Sequence, residues 1–206
     1  NAKENGKSTT ISLAIKKEFD FGLDASMGYA FNKSEDVSPM TSAVSFSNFA
    51  NFATSDAQDP GLATSNYETP HRFTMNLRYS TEFIDSYRTS FTLFGSRTKG
   101  RPMSYTYDGL SVGATEFRSR RHLLYIPTSD DANVSYGDDF DLAAFNAFID
   151  EKGFTRGQIV DRNSDNASWH TRFDFRIDQQ LPSFIDGHKA KAYLVIKNLG
   201  NMLNDD

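Results

Sequence analysis

The residue types best suited to chemistry lie in one stretch, residues 97–141 of the 206-residue chain. Asp130, Asp131, Asp138, Asp139 and Asp141 put five carboxylates within a dozen residues, a supply of hard oxygen ligands for Ca²⁺. Their spacing is not that of an EF-hand, and a solvated acidic loop is the ordinary reading. Two basic clusters flank a Tyr-containing segment: Arg97, Lys99 and Arg101, then Arg118, Arg120 and Arg121. Three anions fit them, nucleic acid, an anionic substrate, or the phosphates of lipopolysaccharide, and lipopolysaccharide or a plain solvated surface together are favoured over a substrate site. The net charge of -5 argues against nucleic acid. Tyr105 and Tyr107 can stack on a sugar or peptide beside Arg101, or as strand neighbours can simply extend a sheet. Arg101, Tyr105 and Tyr107 are therefore the candidate substrate-binding set.

Other chemistry finds no anchor. Gly6-Lys7-Ser8 resembles the tail of a phosphate-binding loop, but the glycine required five positions earlier is Asn1. His71, His122, His170 and His188 have no metal-ligand spacing. With no cysteine, thiolate metal sites, disulfides and a Cys nucleophile are excluded. No G-x-S-x-G elbow offers a hydrolase nucleophile. No catalytic residue, resident metal or cofactor is expected, and the chain reads as a non-enzyme.

The elements that carry these residues are strands. Mean hydropathy is -0.55, yet aromatics reach 14%, with 18 Phe and 9 Tyr. Such a chain is too aromatic for disorder and has to bury those rings in a core or a membrane. Period-two alternation, the mark of a strand with two unlike faces, recurs along the chain. From Phe21 to Phe31 every odd position is apolar, while Gly22, Asp24, Ser26, Gly28, Ala30 and Asn32 fill the other face. The same alternation predicts strands over residues 8–17, 20–33, 71–81, 86–97, 168–178 and 188–198. It is weakest between Tyr87 and Ser96, where Phe94 falls among the polar positions. No run of 18 apolar residues exists, so no transmembrane helix is expected, but strands cross a bilayer in only about 9–11 residues.

Short and long connections alternate. The first and second strands meet near Lys17–Asp20, the third and fourth near Ser80–Ser86, and the fifth and sixth across Gln179–Gly187. The loops 34–70 and 98–167 are long. In an up-and-down antiparallel sheet all long loops then leave one end, as in outer-membrane barrels. Phe19, Phe31, Tyr79, Phe83, Tyr87 and Trp169 near strand ends match the aromatic girdles of such barrels. The fold expected is all-β: antiparallel up-and-down strands forming part of a transmembrane β-barrel, with long extracellular loops. Within the second loop, Leu142, Phe145, Ala147 or Phe148, and Ile149 predict one short helix over Phe140–Gly153, with Asp138 or Asp139 as N-cap and Gly153 as stop. The first loop shows no periodicity and is read as irregular.

The order of landmarks over residues 71–204 resembles the barrel of Oar-like (OmpA-related) TonB-dependent receptors. The segments carrying it are Gly100-Arg101-Pro102-Met103-Ser104-Tyr105-Thr106-Tyr107, Leu123-Leu124-Tyr125-Ile126-Pro127-Thr128, Arg156-Gly157-Gln158 and Arg162-Asn163-Ser164. They continue through Trp169–Ile177, Leu181-Pro182-Ser183-Phe184, and Asn198-Leu199-Gly200-Asn201-Met202-Leu203-Asn204, similar to the family's "NLxNLLN". The resemblance implies energised uptake of a scarce, bulky substrate across the outer membrane. Its implied partners are outer-membrane lipid and lipopolysaccharide, TonB acting through an N-terminal plug, and an unidentified transported substrate, with no nucleic acid. In the family a strand follows "NLxNLLN", a plug lies far upstream, and the barrel has roughly 22 strands. The chain is accordingly expected to be a partial barrel that lacks both. The competing function is a secreted or surface β-sheet module using Tyr- and Phe-rich loops for adhesion.

Overall fold

The structure is a computed structural model that describes residues 5–108, 121–185 and 187–203. Its elements in chain order are β1 (Lys7–Glu18), β2 (Leu23–Asp36), α1 (Ser45–Ala50), β3 (Ala63–Thr64), β4 (His71–Ile84), β5 (Tyr87–Thr98), β6 (Pro102–Met103), β7 (Tyr125–Ile126), α2 (Leu142–Lys152), β8 (Gln158–Ile159), β9 (Asp165–Asn166), β10 (His170–Pro182), β11 (Lys189–Ile196) and α3 (Leu199–Leu203). The long strands pair in sequence order, β1-β2-β4-β5-β10-β11, with the short β3 joined to β2. The pairings of the long strands from β2 to β11 are antiparallel. This is the up-and-down sheet expected, and it is open: no closed barrel is present among the described residues.

Several boundaries shift. The first turn is Phe19–Gly22 rather than Lys17–Asp20, closed by Phe19 N to Leu23 O at 2.8 Å. Gly22 has φ 91°, and a Cβ there would run into the Ser80 carbonyl, so both its backbone angle and its neighbour require glycine. β10 continues through Gln179 to Pro182, residues read from the sequence as a link. Pro182 ends that strand opposite Lys189, where a missing N–H costs least. A register shift between Thr81 and Ile84 lengthens β4 before its turn at Asp85 and Ser86. In the first long loop the structure contains α1 and β3, where irregular chain was expected. α1 is only six residues long and is held by Asn48, which accepts from Ser42 N at 2.8 Å and donates to Ser42 O at 2.5 Å.

By its internal contacts the chain divides into two compact units. One, the loop unit, comprises Asn1–Ser8, Ser34–Glu68 and Arg101–Asn166. The other, the sheet unit, comprises Thr9–Lys33, Thr69–Gly100 and Ala167–Asp206.

Candidate functional site

The loop unit has a core of its own. Ile126, Ile149 and Val160 are buried, and Tyr105, Leu124, Phe145 and Phe154 pack around them. β7 pairs with β8, and flanking bonds from Gly157 N to Ile126 O (2.7 Å) and Val160 N to Leu124 O (2.8 Å) carry Ile126 and Val160 to the same place. α2 supplies Ile149 and Phe145. Its N-cap is Asp141, whose carboxylate accepts from Ala144 N at 2.8 Å, rather than Asp138 or Asp139. It ends as expected at Gly153, whose φ of 67° is the left-handed cap conformation.

A buried polar knot ties distant parts of this unit together. The Arg162 side chain is 2% exposed and donates through Nη2 to both the backbone oxygen (2.6 Å) and Oδ1 (2.9 Å) of Asp36. Its guanidinium also lies over the Phe52 ring, 5.9 Å from the centroid. Asn163 Nδ2 donates to Thr64 O (2.7 Å) and Asn66 Oδ1 (2.5 Å), and Asn163 N donates to Ser104 Oγ at 2.8 Å. Asn163 has φ 57°, a conformation that Asn tolerates better than most residues. A buried cation needs a charge partner and hydrogen bonds, and Asp36, at the end of β2, supplies a carboxylate and a backbone oxygen.

A second polar group surrounds Asp165. Tyr105 OH (2.5 Å) and Lys152 Nζ (2.8 Å) both donate to Asp165 Oδ2, and Asn166 N donates to Oδ1 at 2.7 Å. Lys152 first, then Tyr105 and the Asn166 amide, lower the Asp165 carboxyl to about 2. The same carboxylate, followed by Tyr105, raises Lys152. Burial and then the bond to Asp165 push the Tyr105 phenol up. The Tyr105 ring packs edge-on against Phe148 and Phe154, with centroids 5.2 and 5.4 Å away.

These contacts separate the residues singled out as a substrate-binding set. Tyr105 is a core buttress with both its ring and its hydroxyl engaged. Tyr107 stays part-exposed, accepts from Tyr125 N at 3.3 Å and bonds through its own N–H to His122 O. Arg101 is exposed. The five aspartates are not gathered either. Asp141 caps α2, while Asp131 accepts from Tyr125 OH (2.6 Å) and Asn133 N (3.1 Å), which lowers its pKa. Among the described residues no three His, Asp or Glu side chains converge on a metal-sized site. Lys7, in the phosphate-loop look-alike, lies in β1 and pairs with Glu35 at 3.1 Å. Arg121 lies over the Phe49 ring at 5.1 Å; Arg118, Arg120 and Asn204 fall outside the described residues. A hollow of about 240 Å³ in this unit is lined by Asp56, Asp59, Asp161, Arg162, Leu62 and Leu123. Sequence reasoning did not find it, because its walls come from three separate segments.

The sheet unit is organised by its register. Residues opposite one another across antiparallel strands share a face. Leu23–Tyr79–Phe91–Ile177–Leu194 forms one rung and Ala25–Leu77–Leu93–Phe175–Ile196 the next. Met27–Met75–Gly95–Phe173 and Tyr29–Phe73–Arg97–Thr171 follow. The apolar positions of β2, β4, β5, β10 and β11 therefore form one continuous face. Toward the short turns it ends at a polar rung, Thr81–Thr89–Gln179, where Thr89 Oγ1 donates to Gln179 at 2.5 Å. Toward the long connections it ends in a run of rings: Phe31 on His71 (5.6 Å), His71 on Trp169 (6.1 Å) and Phe73 on Trp169 (6.1 Å). Tyr29 and His71 Nδ1 share a hydrogen bond of 2.9 Å.

The opposite face is polar, and several of its charges are internally paired. Arg172 makes a two-pronged bond to Asp174 (2.8 and 2.6 Å), and Arg176 does the same to Asp178. Lys191 reaches Asp178 at 2.8 Å. Arg176 also lies over Tyr193, 4.7 Å from the ring centroid. By contrast the apolar face stands open: Ile11, Leu13, Ile15, Met27 and Phe73 are all exposed, Leu13 and Ile15 by 67% and 69%. A shallow apolar hollow of about 540 Å³ lies on it, around Gly95.

Comparison with known proteins gives no match: no family model, no curated protein and no solved structure. What the site can do has to be argued from its own residues.

Proposed function

We propose that the sheet unit is a stretch of transmembrane β-barrel wall and that the chain serves a TonB-dependent outer-membrane receptor in energised uptake of a bulky substrate. One observation carries the wall: a single, continuous, water-exposed apolar face spread over neighbouring strands. Each large apolar side chain on it would gain roughly 1.5–3 kcal/mol on leaving water, so a face of this size calls for a cover. Lipid is the cover that suits it. The face spans His71 to Tyr79 on β4, about the length of one bilayer-crossing strand. It is edged toward the long connections by the rings of Phe31, His71 and Trp169, as an interfacial girdle is, and its last apolar rung toward the short turns carries Tyr79 and Phe91. The other face, polar and with Arg172, Arg176 and Lys191 paired to aspartates, suits a wet lumen. The receptor assignment rests on the order of landmark segments along residues 71–204. The loop unit, with its separate core and its hollow beside Arg162, suits capture of the substrate on the outside.

The test is fractionation of cells expressing the protein, with an antibody against residues 130–153 of the loop unit. Recovery in the outer membrane, with that segment labelled on intact cells, supports the reading. Recovery as soluble secreted protein overturns it in favour of an adhesion module.

A further inference from the structure

Arg97 stands apart from the other cations of the sheet. The register sets it on the apolar face, between Phe73 on one side and Thr171 on the other. Its guanidinium lies over the indole of Trp169, 5.1 Å from the ring centroid. Lys99 follows two positions later, with its N–H bonded to His71 O. On the polar face Arg172, Arg176 and Lys191 each have an aspartate in hydrogen-bond or ion-pair contact. Neither Arg97 nor Lys99 has a carboxylate partner among the described residues.

A cation without a counterion on an apolar face is costly inside hydrocarbon and is tolerated where headgroups begin. Just below Arg97 along β5 is Gly95, whose missing side chain leaves room that Phe173 and the end of Met75 occupy. The Phe173 ring lies so close that a Cβ on Gly95 would come within 2.8 Å of it. Beside it a hollow of about 540 Å³ is walled by Leu13, Ile15, Met27, Met75 and Phe173, with Arg97 also in its lining. Its volume falls in the range of small-molecule sites. An apolar hollow with one unpaired guanidinium at its rim matches an amphiphile: an acyl chain for the hollow and an anionic oxygen cluster for the cation. Phosphate suits Arg best, because the planar N–H fork takes two oxygens while the indole covers the guanidinium face.

We propose that Arg97, Trp169 and the hollow at Gly95 form a site for one phosphate-bearing lipid, the phosphate on Arg97 with Lys99 in support and an acyl chain in the hollow. This rests on the membrane reading of the sheet and deepens it.

Trp169 is the single tryptophan and sits at the site, so its emission reports on both questions. The full chain is folded into phosphatidylcholine vesicles, some with acyl chains brominated, and phosphatidic acid is then added in steps. Bromine quenching of Trp169 reports burial of the face in lipid; a saturable shift of emission with phosphatidic acid reports the site. Both are expected. Arg97→Gln should raise the half-saturating lipid fraction by roughly tenfold, the loss of one charge-assisted bond, while quenching persists. Lys99→Gln should raise it less, and keeps the test open should the Arg97 variant fold poorly. Absence of quenching sinks the membrane reading and this site together. Quenching without a phosphatidic acid response, or a response that both variants retain, overturns the site alone. An equal response to inorganic phosphate in neutral vesicles would show an anion subsite and refute the lipid.

Discussion

In the loop unit Ile126 and Ile149 are 0% and 1% exposed, while in the sheet unit Leu13 and Ile15 keep two-thirds of their surface in the open. The same kinds of side chain meet opposite fates in one chain. The loop unit behaves as a small globular body: apolar groups go inside, and a buried charge such as Arg162 is paired with the backbone oxygen and carboxylate of Asp36. The sheet unit keeps much of its apolar surface outside and pairs charges across its other face, as Arg172 and Arg176 do with Asp174 and Asp178. On the proposed reading the contrast is one of solvent: a globular body in water buries what is apolar, whereas a wall between lipid and a wet lumen would show it on one side.

Substitutions can break or sharpen this contrast. The largest effect is expected for Arg162→Ala, which leaves Asp36 unpaired and opens the knot. A loss of about 3–5 kcal/mol is expected for the loop unit, seen as lost hydrogen-exchange protection at Val160 and Ile126, with β4 and β5 unaffected. Equal loss in the sheet would mean that the two regions unfold as one. Next comes Leu13→Arg on the exposed apolar face. In water a surface change of this kind stays within about 0.5 kcal/mol. In a bilayer it should cost about 2–4 kcal/mol if Leu13 lies near the midplane. Denaturant titrations in vesicles and in detergent-free buffer distinguish these outcomes, and equal small values would contradict a lipid-facing wall. Asp141→Ala removes the cap of α2 and should cost about 1 kcal/mol, visible as fraying of α2 amides alone.

The smallest effect is that of pH on the loop unit. The Asp165 carboxyl is lowered from 3.8 to about 2 by Lys152 and Tyr105, so its contribution is complete above pH 3.8. It declines as pH falls below that value and is gone below about 2, since the unfolded chain then binds the proton first. Near-ultraviolet dichroism of the Tyr105 cluster between pH 5 and 2 measures it. Asp165→Asn should flatten that profile while leaving the sheet unchanged.

Much of the sheet was legible beforehand. Every long strand was expected from alternation, and the odd positions of β2 do share a face with Phe73, Met75 and Leu77. α2 was legible from the spacing of Leu142, Phe145 and Ile149 with Gly153 behind them, but its cap was not. Three nearby aspartates had the right chemistry, and only the backbone turn decides which one precedes the first helical residue. α1 escaped notice because six residues carry too little periodicity, and tertiary context supplies what propensity lacks. The candidate site was least legible. Tyr105 looked like a free platform beside Arg101 and proved to be packed against Phe148 and Phe154. Arg162 was noticed only as part of a landmark segment, because its partner Asp36 lies 126 residues away.

The sequence by itself determined the two-faced strands, their order of apolar and polar positions, and the helix of the second loop with its Gly153 stop. Alternation and helical spacing are local consequences of backbone geometry, so they are written into neighbouring residues. Only the tertiary structure decided which charges find partners and which tyrosine packs against the core of the loop unit. Those outcomes depend on contacts between segments far apart in the chain, where closing a loop sets distances that no local pattern encodes.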